Sequence, residues 1–515
     1  MKSALWAALA CAALALPAHA REVTILTYNV ENLFDADKVA IFDDYAETGE
    51  PNGYSPAKTL KKIENIAKVL KTFDGGSGPD IVCFNELELD FTPESKVTDY
   101  AAFLEKYEDT TAREMLTSGL NDEIRGLPSE ALLLKHLTDE GMTGYNVAIG
   151  ADEPDFAALA STDRNVHKKG QKNGLFSKFP IKDVKSHPTP DARDILEVDL
   201  DIEGNPLTVF VNHWKSGAGD LGSEQSRRFN AKTVRDRIDG LMAGNPSADI
   251  VITGDFNSMY NQTQTFPHMG KTGLNDILGS QGDEAATANA TNVSLYNLWY
   301  ELPPDKRGSD YHRGKWGTLM QSIIAPGLYD HKGLQYADNS FQVVVLKGLN
   351  SMDDLGLPQR WSNFGSGSGF SDHFPVTFRM RTVTGDDSAK RLALENPGKP
   401  SEDAKQRSVG FDLLKADKLP RFDAQTASKL EENVGKFFRV EGDISSLRPL
   451  ALEVSGDEFM LWSPDKESDA LRPLRKLPEG SKVALLGQLS YHKGKPQFVV
   501  EDPSWILQYE AGPKK

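Results

Sequence analysis

Apolar residues along the first 380 positions alternate between compact runs and helical spacing. Residues 23–28 form a β-branched run that predicts a strand, and residues 81–84 predict a strand buried on both faces. Between them, the apolar positions of residues 57–73 recur at helical spacing and predict a helix. Further helices are predicted at 98–140 and 227–242, and further strands at 145–149, 174–177, 195–202, 207–212, 249–253, 319–324, 342–345 and 375–379. This alternation favours an α/β or α+β domain over residues 21–383.

The remainder of the chain follows a different pattern. Residues 384–424 are polar and contain clustered glycine and proline, so they predict a linker. Residues 425–515 carry short apolar runs separated by turns that contain glycine. Strands are predicted at 436–441, 451–454, 458–462, 482–489 and 497–501. Five short strands in fewer than about a hundred residues favour a small closed all-β barrel of the OB type.

The N-terminus has the pattern of a secretory signal peptide over residues 1–20. Lys2 supplies the basic region, residues 5–16 the short apolar region, and Ala18-His19-Ala20 the cleavage site. The apolar region is too short to span a membrane, so we expect a secreted or periplasmic protein without stable membrane insertion. Cleavage after Ala20 leaves Cys83 as the one cysteine, which excludes an internal disulfide in the mature chain.

Five short polar motifs lie on or directly after the predicted strands. They are Thr-Tyr-Asn-Val-Glu-Asn at 27–32, Phe-Asn-Glu at 84–86, Val-Asn-His-Trp at 211–214, Gly-Asp-Phe-Asn at 254–257 and Ser-Asp-His-Phe-Pro at 371–375. Their polar side chains include Asn29, Glu86, His213, Asp255, Asn257, Asp372 and His373. Hard oxygen ligands together with two imidazoles suit a divalent cation and the hydrolysis of phosphate esters.

Each motif by itself also has a structural explanation, such as a turn cap, a solvated acid or a buried histidine. The five together favour a catalytic site. Asn29 and Glu86 follow buried strands and offer oxygen ligands with open positions for water and phosphate, as Mg²⁺ prefers. Asp255 is suited to take or orient a water proton, and Asn257 is suited to position that water or the phosphate.

The remaining polar side chains divide between the cation and the phosphate. Adjacent side chains of an extended segment diverge, so Asp372 and His373 are expected to act differently. Asp372 is predicted to join the cation, and His373 to contact a phosphate oxygen or accept a proton. His213 follows another strand and is predicted to donate to the leaving oxygen or to the phosphate.

These motifs, taken in order, resemble those of the endonuclease/exonuclease/phosphatase superfamily, which includes deoxyribonuclease I-like nucleases, abasic-site endonucleases, sphingomyelinases and inositol-phosphate phosphatases. The resemblance covers roughly residues 22–380, with insertions around 90–140 and 259–310. It implies a four-layered fold in which two β-sheets pack face to face between helices. It also implies a metal and phosphate site at Asn29 and Glu86 and a water-activating pair at Asp255 and Asn257.

The same resemblance assigns the three remaining residues. His213 matches a phosphate-contacting or acid position, Asp372 matches the acid on the metal side, and His373 matches the essential histidine. The family implies a divalent cation, with Mg²⁺ expected and Ca²⁺ or Mn²⁺ as alternatives.

The chain departs from the family pattern at two positions. Asn85 stands where the family usually has glutamine. Met320, in Gly-Thr-Leu-Met at 317–320, stands where the family has an aspartate that orients the essential histidine. Asp310, Asp330 and Gln321 are candidates to replace that carboxylate. If the missing carboxylate limits the rate, Met320→Asp is expected to raise activity.

These observations predict a secreted, metal-dependent phosphodiesterase that hydrolyses extracellular or periplasmic nucleic acid. The net charge of −17 excludes a general nucleic-acid coat protein, because such proteins bind through excess lysine and arginine. The alternatives are a phosphatase, a sphingomyelinase-like lipid phosphodiesterase, and a nucleic-acid-binding protein that has lost activity through Met320. For the lipid enzyme, residues 293–300 are the candidate membrane-docking hairpin. The sequence sets no oligomeric state.

Overall fold

A computed structural model describes most of the chain. The described residues are 20–46, 53–92, 95–161, 169–290, 292–312, 315–351, 356–400, 419–463, 470–492 and 495–512. The predicted signal peptide therefore lies outside the described residues except for Ala20, as does the central part of the predicted linker.

The first large sheet has seven strands. They are β1 (Glu22–Leu33), β2 (Ile81–Glu88), β3 (Asn146–Ile149), β4 (Gln171–Ser177), β14 (Asp330–Tyr336), β15 (Gln342–Val343) and β16 (Val376–Arg391). Their order is β14-β16-β1-β2-β4-β3, with β15 paired to β16. Strands β1 and β2 are parallel, whereas β16 pairs antiparallel with β1 and β4 pairs antiparallel with β2.

The second large sheet also has seven strands. They are β5 (Ile181–His187), β6 (Ile195–Ile202), β7 (Asn205–His213), β8 (Ile250–Asp255), β9 (Ser280–Gln281), β10 (Leu295–Asn297) and β13 (Met320–Ile324). Their order is β5-β6-β7-β8-β13-β10-β9, and β7 and β8 are parallel. A short hairpin of β11 (Asp310–His312) and β12 (Lys315–Gly317) lies outside both sheets.

Helices cover the outer faces of the two sheets. The longer ones are α1 (Pro56–Leu70), α5 (Ser129–Asp139) and α7 (Leu221–Gly244). The shorter α-helices are α2 (Tyr100–Lys106), α3 (Ala112–Met115), α4 (Asp122–Arg125), α6 (Phe156–Ala160), α8 (Gln262–Thr265), α9 (Glu284–Ala288), α10 (Ala424–Ala427) and α11 (Leu430–Asn433). Helices α1 and α5 pack on the first sheet and α7 packs on the second. The predicted four-layered sandwich is therefore confirmed.

Because side chains alternate between the two faces of a strand, each sheet contributes residues to two hydrophobic cores. In β1, Val23 and Ile25 face the second sheet, whereas Leu26 and Tyr28 face α1. The same alternation in β8 turns Val251 inward and places Ile250 and Ile252 against α7. Side chains on a strand alternate between its two faces, and both faces of β1 and β8 pack against other apolar residues. The sequence of each strand is therefore a continuous apolar run. The hydroxyls of Thr27 and Thr253, 2.6 Å apart, link the two inner faces.

The C-terminal region forms a separate closed barrel. Its strands are β17 (Phe437–Leu447), β18 (Leu450–Val454), β19 (Asp457–Trp462), β20 (Lys482–His492), β21 (Lys495–Val499) and β22 (Ile506–Glu510). Five of them close the ring β17-β18-β19-β21-β20-β17, and β22 pairs with β20 outside the ring. The predicted small all-β barrel is confirmed, with one strand more than the sequence indicated.

The predicted linker at 384–424 is corrected at both ends. Strand β16 continues to Arg391, and Leu392 and Leu394 pack against the core between the large sheets. At the other end, Leu419 and Phe422 are buried in the barrel core. Polar composition concealed these contacts because β16 beyond residue 380 is largely solvent-exposed and pairs through its backbone with β14.

The candidate membrane-docking hairpin at 293–300 is not an exposed loop. Leu295, Leu298 and Trp299 are fully buried, and the Trp299 indole donates to the carbonyl of Met320 at 2.8 Å. Val293 packs against the core beneath α7. The apolar residues of this segment therefore stabilise the second sheet. Within the described part of the chain, no helix is both long and apolar enough to cross a bilayer.

Candidate active site

Three of the predicted side chains reach one point because their strands share an alternation. Each of the three side chains faces the space between the sheets near the carboxyl end of its strand. Asn29 lies on β1, His213 on β7 and Asp255 on β8. Strands β7 and β8 are parallel and pair His213 with Asp255. The two sheets face each other, so these inward-facing residues meet at one edge of the sandwich.

Glu86 reaches the same edge through an irregularity in β2. Its φ is +66°, in the left-handed region, and the pairing of β2 with both β1 and β4 shifts register around it. The preceding residue, Asn85, accepts from the Asp255 amide at 3.0 Å and donates to the carbonyl of Asn212 at 2.9 Å. Asn85 therefore holds β2 against β7 and β8, and the bulge directs the Glu86 carboxylate into the site.

Glu86, His213 and Asp255 form a compact group of potential ligands. One ligand atom from each lies within 4.8 Å of the others. The His213 Nε2 is 3.8 Å from Glu86 Oε1 and 3.6 Å from Asp255 Oδ2. The Asn29 amide donates to both carboxylates, at 3.0 Å to Glu86 and 3.1 Å to Asp255. Two carboxylates and an imidazole within this distance fit a divalent cation.

The electrostatics of His213 favour its neutral form. Burial lowers its pKa well below the usual range, and the positive charges of Arg193 and His373 add to the effect. A neutral imidazole is the form that binds a metal ion or accepts a proton. Burial, followed by the charge of Asp372, raises the pKa of Glu86. Burial therefore disfavours the charged forms of both His213 and Glu86, and a divalent cation would favour the ionised carboxylate of Glu86.

The fifth motif brings a cationic imidazole to the same place. His373 Nε2 lies 3.7 Å from Asp372 Oδ1 and 3.8 Å from Asp255 Oδ2. Burial alone would lower the pKa of His373, but the charges of Asp372 and Asp255 raise it to about 9. The Ser371 hydroxyl donates to the carbonyl of Asn29 at 2.7 Å, which ties this motif to the first. The site therefore contains one neutral and one protonated histidine near pH 7.

Asn257 follows Asp255 in a tight turn. Its φ is +46°, its amide N–H donates to Asp255 Oδ1 at 2.8 Å, and its side chain donates to the carbonyl of Trp214 at 3.1 Å. Asn257 is 7% exposed and lines the cleft beside Asp255. All seven predicted site residues therefore lie around one edge of the sandwich.

Asp310 is the one of the three proposed substitutes for the missing carboxylate that lies beside His373. The two residues pair through their backbones, and the negative charge of Asp310 contributes to the raised pKa of His373. Asp310 accepts from the Ser309 hydroxyl at 2.9 Å and the Leu319 amide at 3.0 Å. A Cβ on Gly317 would lie 2.0 Å from Asp310 Oδ2, so any larger residue there would displace this carboxylate.

The other two candidates point elsewhere. Asp330 lies at the start of β14, where it is 3.6 Å from Arg391. The Gln321 amide donates to the carbonyl of Ser258 and accepts from Asn297 at 2.6 Å. Met320 itself is fully buried in the core between the sheets. The effect of Met320→Asp stays a prediction, but burial of this position now favours no gain in activity, because a carboxylate there would replace core contacts.

The sequence analysis did not identify two arginines that the structure places at the site. Arg193 comes from the loop before β6 and interacts electrostatically with Glu86 and Asp255. Arg360 lies 3.2 Å from Glu31 and 3.6 Å from Asp372. Both residues come from segments without a motif, so only the packing of those segments places them at the site.

The site opens into a cleft of about 1650 Å³ that the barrel helps to form. Glu501, Asp502 and Pro503 of the barrel line it together with Tyr311 and Trp316 of the β11–β12 hairpin. Trp316 stacks on Phe374, next to His373, and both belong to the same apolar core as the barrel strands. The barrel therefore supports the wall of the cleft that carries Asp310 and His373.

Comparison with known proteins agrees with this geometry. Residues 172–382 match the family model described as "Endonuclease/Exonuclease/phosphatase family". This family match supports a metal-dependent phosphoric ester hydrolase. The resemblance predicted from the motifs is confirmed by this match, which makes residues 172–382 similar to the endonuclease/exonuclease/phosphatase family. A search of curated proteins found no match.

Solved structures were also compared with the chain. D. rerio TDP2 complexed with a single-strand DNA product is 12% identical and covers 70% of this chain and 99% of its own, with a TM-score of 0.36. A family protein from Bacteroides thetaiotaomicron is 14% identical, with coverages of 71% and 97% and a TM-score of 0.37. The human Nocturnin catalytic domain with bound sulfate is 13% identical, with coverages of 70% and 95% and a TM-score of 0.35. TM-scores of this size carry no weight for the function of this chain.

The stability of the chelated protein is expected to fall between about pH 6.5 and pH 9. The folded-state pKa of His373 is about 9, above its ordinary value of 6.5, so its protonation stabilises the fold fully below pH 6.5. That contribution is lost as the pH rises through 9. Denaturant titration in EDTA at several pH values measures the decline, and His373→Gln is expected to flatten it. An equal decline in His373→Gln would attribute the effect to other groups.

Proposed function

We propose that the protein is a secreted phosphodiesterase that hydrolyses nucleic acid with the aid of a divalent cation. The class, a metal-dependent phosphoric ester hydrolase, follows from the family match. Secretion rests on the signal-peptide pattern of residues 1–20, and the substrate rests on the shape and chemistry of the cleft.

The observation that carries the proposal is the size of the cleft around the Glu86, His213 and Asp255 group. Its volume of about 1650 Å³ exceeds the roughly 300–1000 Å³ of pockets that enclose one small molecule. It continues along residues 216–220 and reaches the barrel at 501–503. A phosphate monoester needs room for one organic group, whereas a diester within a polymer needs room for two. The dimensions therefore favour an extended phosphodiester.

The donor set fits a divalent cation. We assign the ion to Glu86, His213 and Asp255, whose ligand atoms all lie within 4.8 Å of one another, and Asn29 orients the two carboxylates. The resemblance instead predicts Asn29, Glu86 and Asp372, and the two sets share Glu86. A cation held there would neutralise charge on the phosphate and would favour attack by water. Mg²⁺ is the expected ion, because it retains several waters beside a few carboxylates.

The chain's own residues supply the remaining steps. Asp255 accepts a proton from the attacking water, and Asn257 positions that water or the phosphate. As the water oxygen bonds to phosphorus, the bond to the leaving oxygen breaks, and the leaving oxygen takes up a proton from solvent. The protonated His373 donates a hydrogen bond to a non-bridging phosphate oxygen and stabilises the negative charge that develops there. Arg193 adds positive charge beside Glu86, where it favours an anionic substrate.

The charge of the cleft makes this activity dependent on the cation. Its lining includes three lysine and arginine residues, Arg193, Lys315 and Arg360. The acidic lining residues are more numerous: Glu31, Asp43, Asp44, Glu86, Asp220, Asp255, Asp310, Asp372, Glu501 and Asp502. Such a surface repels a polyanion unless divalent cations screen it. We therefore expect the KM for nucleic acid to fall as the Mg²⁺ concentration rises.

The experiment is a substrate panel with the mature protein, whose N-terminus is expected at Arg21 when it is purified from the periplasm. Plasmid DNA, single-stranded RNA, sphingomyelin, a p-nitrophenyl phosphodiester and the matching monoester are incubated with Mg²⁺, Mn²⁺, Ca²⁺ or EDTA. We expect cleavage of nucleic acid with a divalent cation and none in EDTA. The monoester is expected to react at least about 100-fold more slowly than the diester. It lacks the second organic group, whose contacts with the cleft are expected to stabilise the transition state of the diester.

Each other result identifies a competing function. Preference for the monoester would indicate a phosphatase, and preference for sphingomyelin would indicate a lipid enzyme. Metal-dependent DNA binding without turnover would indicate a binding protein. The variant Asp236→Asn, an exposed acid on α7, serves as the matched control and is expected to behave as the wild type.

A further inference from the structure

A second group of carboxylates lies away from the cleft. Glu284 begins the short helix Glu284–Ala288, Glu301 ends the 3₁₀ turn Leu298–Glu301, and Asp338 follows β14. One oxygen from each lies within 4.8 Å of the others. The three residues are not part of the cleft lining. We call them the second acidic cluster.

The second acidic cluster has no basic partner within the described residues. Neither lysine, arginine nor histidine from those parts of the chain forms an ion pair with its three carboxylates. Arg307, whose charge reaches nearby Tyr296, instead donates to the Tyr260 hydroxyl at 2.6 Å. Carboxylates at this separation, of which Glu284 is buried and the other two are partly buried, repel one another unless protons or a cation neutralise them.

An unpartnered hydroxyl points to a ligand in this cluster. Tyr296 is fully buried, and its hydroxyl has no hydrogen-bond partner among the residues that the structure describes. The position of the Tyr296 hydroxyl follows from its contact with Gly398. A Cβ on Gly398 would lie 1.8 Å from this hydroxyl, and the Gly398 amide donates to Glu284 Oε2 at 2.8 Å. The hydroxyl therefore ends beside the Glu284 carboxylate. The buried Asp338 Oδ1 also lacks a partner in the described chain.

Neighbouring donors hold the carboxylates in place. The Tyr329 hydroxyl donates to Glu284 Oε1 at 3.0 Å, and the Tyr336 hydroxyl lies 2.7 Å from both oxygens of Glu301. The Glu395 amide donates to Asp338 Oδ2 at 2.6 Å. A carboxylate oxygen can accept more than one hydrogen bond, so these contacts orient the carboxylates and leave lone pairs for an ion.

We propose that Glu284, Glu301 and Asp338 bind a second divalent cation, and that this cation is Ca²⁺. The available ligands are oxygens, which Ca²⁺ accepts in variable number and geometry. Mg²⁺ demands a stricter octahedron with several waters, which three carboxylates this close together, one buried and two partly buried, accommodate less well. The Tyr296 hydroxyl supplies a further oxygen ligand, either directly to the ion or through a bound water.

The position of this site gives it a structural role. The segment 392–398 contacts the cluster through the Glu395 and Gly398 amides, and it carries the chain out of the sandwich. A cation there neutralises the carboxylates that accept these bonds. Ca²⁺ therefore fastens the end of the sandwich domain, and its binding is expected to slow hydrogen exchange in residues 392–398.

The test measures Ca²⁺ bound by the full mature chain after chelator treatment and dialysis against Ca²⁺. We compare wild type, Glu301→Gln, Asp338→Asn and Glu86→Gln, with Asp386→Asn as an exposed acidic control. Glu301→Gln keeps an acceptor for Tyr336 but removes the charge. We expect it to bind one Ca²⁺ fewer than wild type, whereas Glu86→Gln retains that ion. Ca²⁺ is expected to raise the unfolding temperature of Glu86→Gln and to leave that of the double variant Glu86→Gln/Glu301→Gln unchanged.

Opposite results would overturn the proposal. Full Ca²⁺ stoichiometry in both Glu301→Gln and Asp338→Asn would place the ion elsewhere. Wild type that binds no Ca²⁺ outside the Glu86 site would show that protons neutralise the cluster. Asp338 is only partly buried, so Asp338→Asn provides the comparison if Glu301→Gln does not fold. Because the readout is binding and stability, it does not depend on the activity proposed for the cleft.

Discussion

Asp255→Asn is expected to lower kcat/KM by about 10³-fold or more. Asp255 accepts from Asn29 at 3.1 Å and lies 3.6 Å from His213 and 3.8 Å from His373, so one carboxylate serves several functional groups. The amide removes its charge and its capacity to accept a proton. Loss of a general base alone costs about 10²–10⁴-fold, and weaker cation binding adds to it.

The measurement separates these two effects. Steady-state rates on the preferred diester are compared across a Mg²⁺ titration, and the fold is checked by circular dichroism. If the amide only weakens the ion, high Mg²⁺ restores the rate; if it also removes the base, the loss persists at saturation. Asp236→Asn, exposed on α7, is the matched control. Near-wild-type turnover in a folded Asp255→Asn protein would refute the assigned role.

Asp310→Asn is expected to lower kcat/KM by about 10²-fold or more at alkaline pH. Asp310 pairs with His373 through the backbone, and its charge contributes to the raised pKa of that imidazole. Without the charge, His373 loses its proton at a lower pH, so the basic limb of the pH profile shifts down. Carboxylates beside catalytic histidines contribute up to about 10⁴-fold elsewhere.

A positioning role predicts more than a loss of rate. Gly317→Ala would force the Asp310 carboxylate aside without removing its charge, because its Cβ would lie 2.0 Å from Oδ2. We expect it to reduce the rate in the same direction, with the change confined mainly to kcat. If Asp310→Asn lowered the rate equally at all pH values, Asp310 would have a purely structural role.

Met320→Asp tests the alternative that the family position itself is needed. Met320 is fully buried between the sheets, and its register partner on β8 is Asp255. The substitution would place a second carboxylate beside that residue and remove apolar contacts. We therefore expect a less stable protein with no gain in rate, and a gain in a well-folded variant would argue against Asp310 as the substitute.

The sandwich could be anticipated from the chain because its signals are local. The run at 23–28, the helical spacing of residues 57–73 and the run at 249–253 each specify an element through near neighbours. The alternation of β1 and β8 also implies that Asn29 and Asp255 leave the same inner face. The polar edge strand β5 was missed because its residues are largely exposed, so it lacks an apolar run.

The sequence by itself determined the layered architecture, the barrel and the set of polar residues at the strand ends, because strand alternation and apolar spacing act over a few residues. Only the tertiary structure decided that Asp310 takes the place beside His373, that Arg193 and Arg360 enter the site, and that the barrel residues 501–503 line its cleft. These contacts join loops and domains far apart in the chain. Their geometry depends on how separate elements pack, which no local pattern encodes.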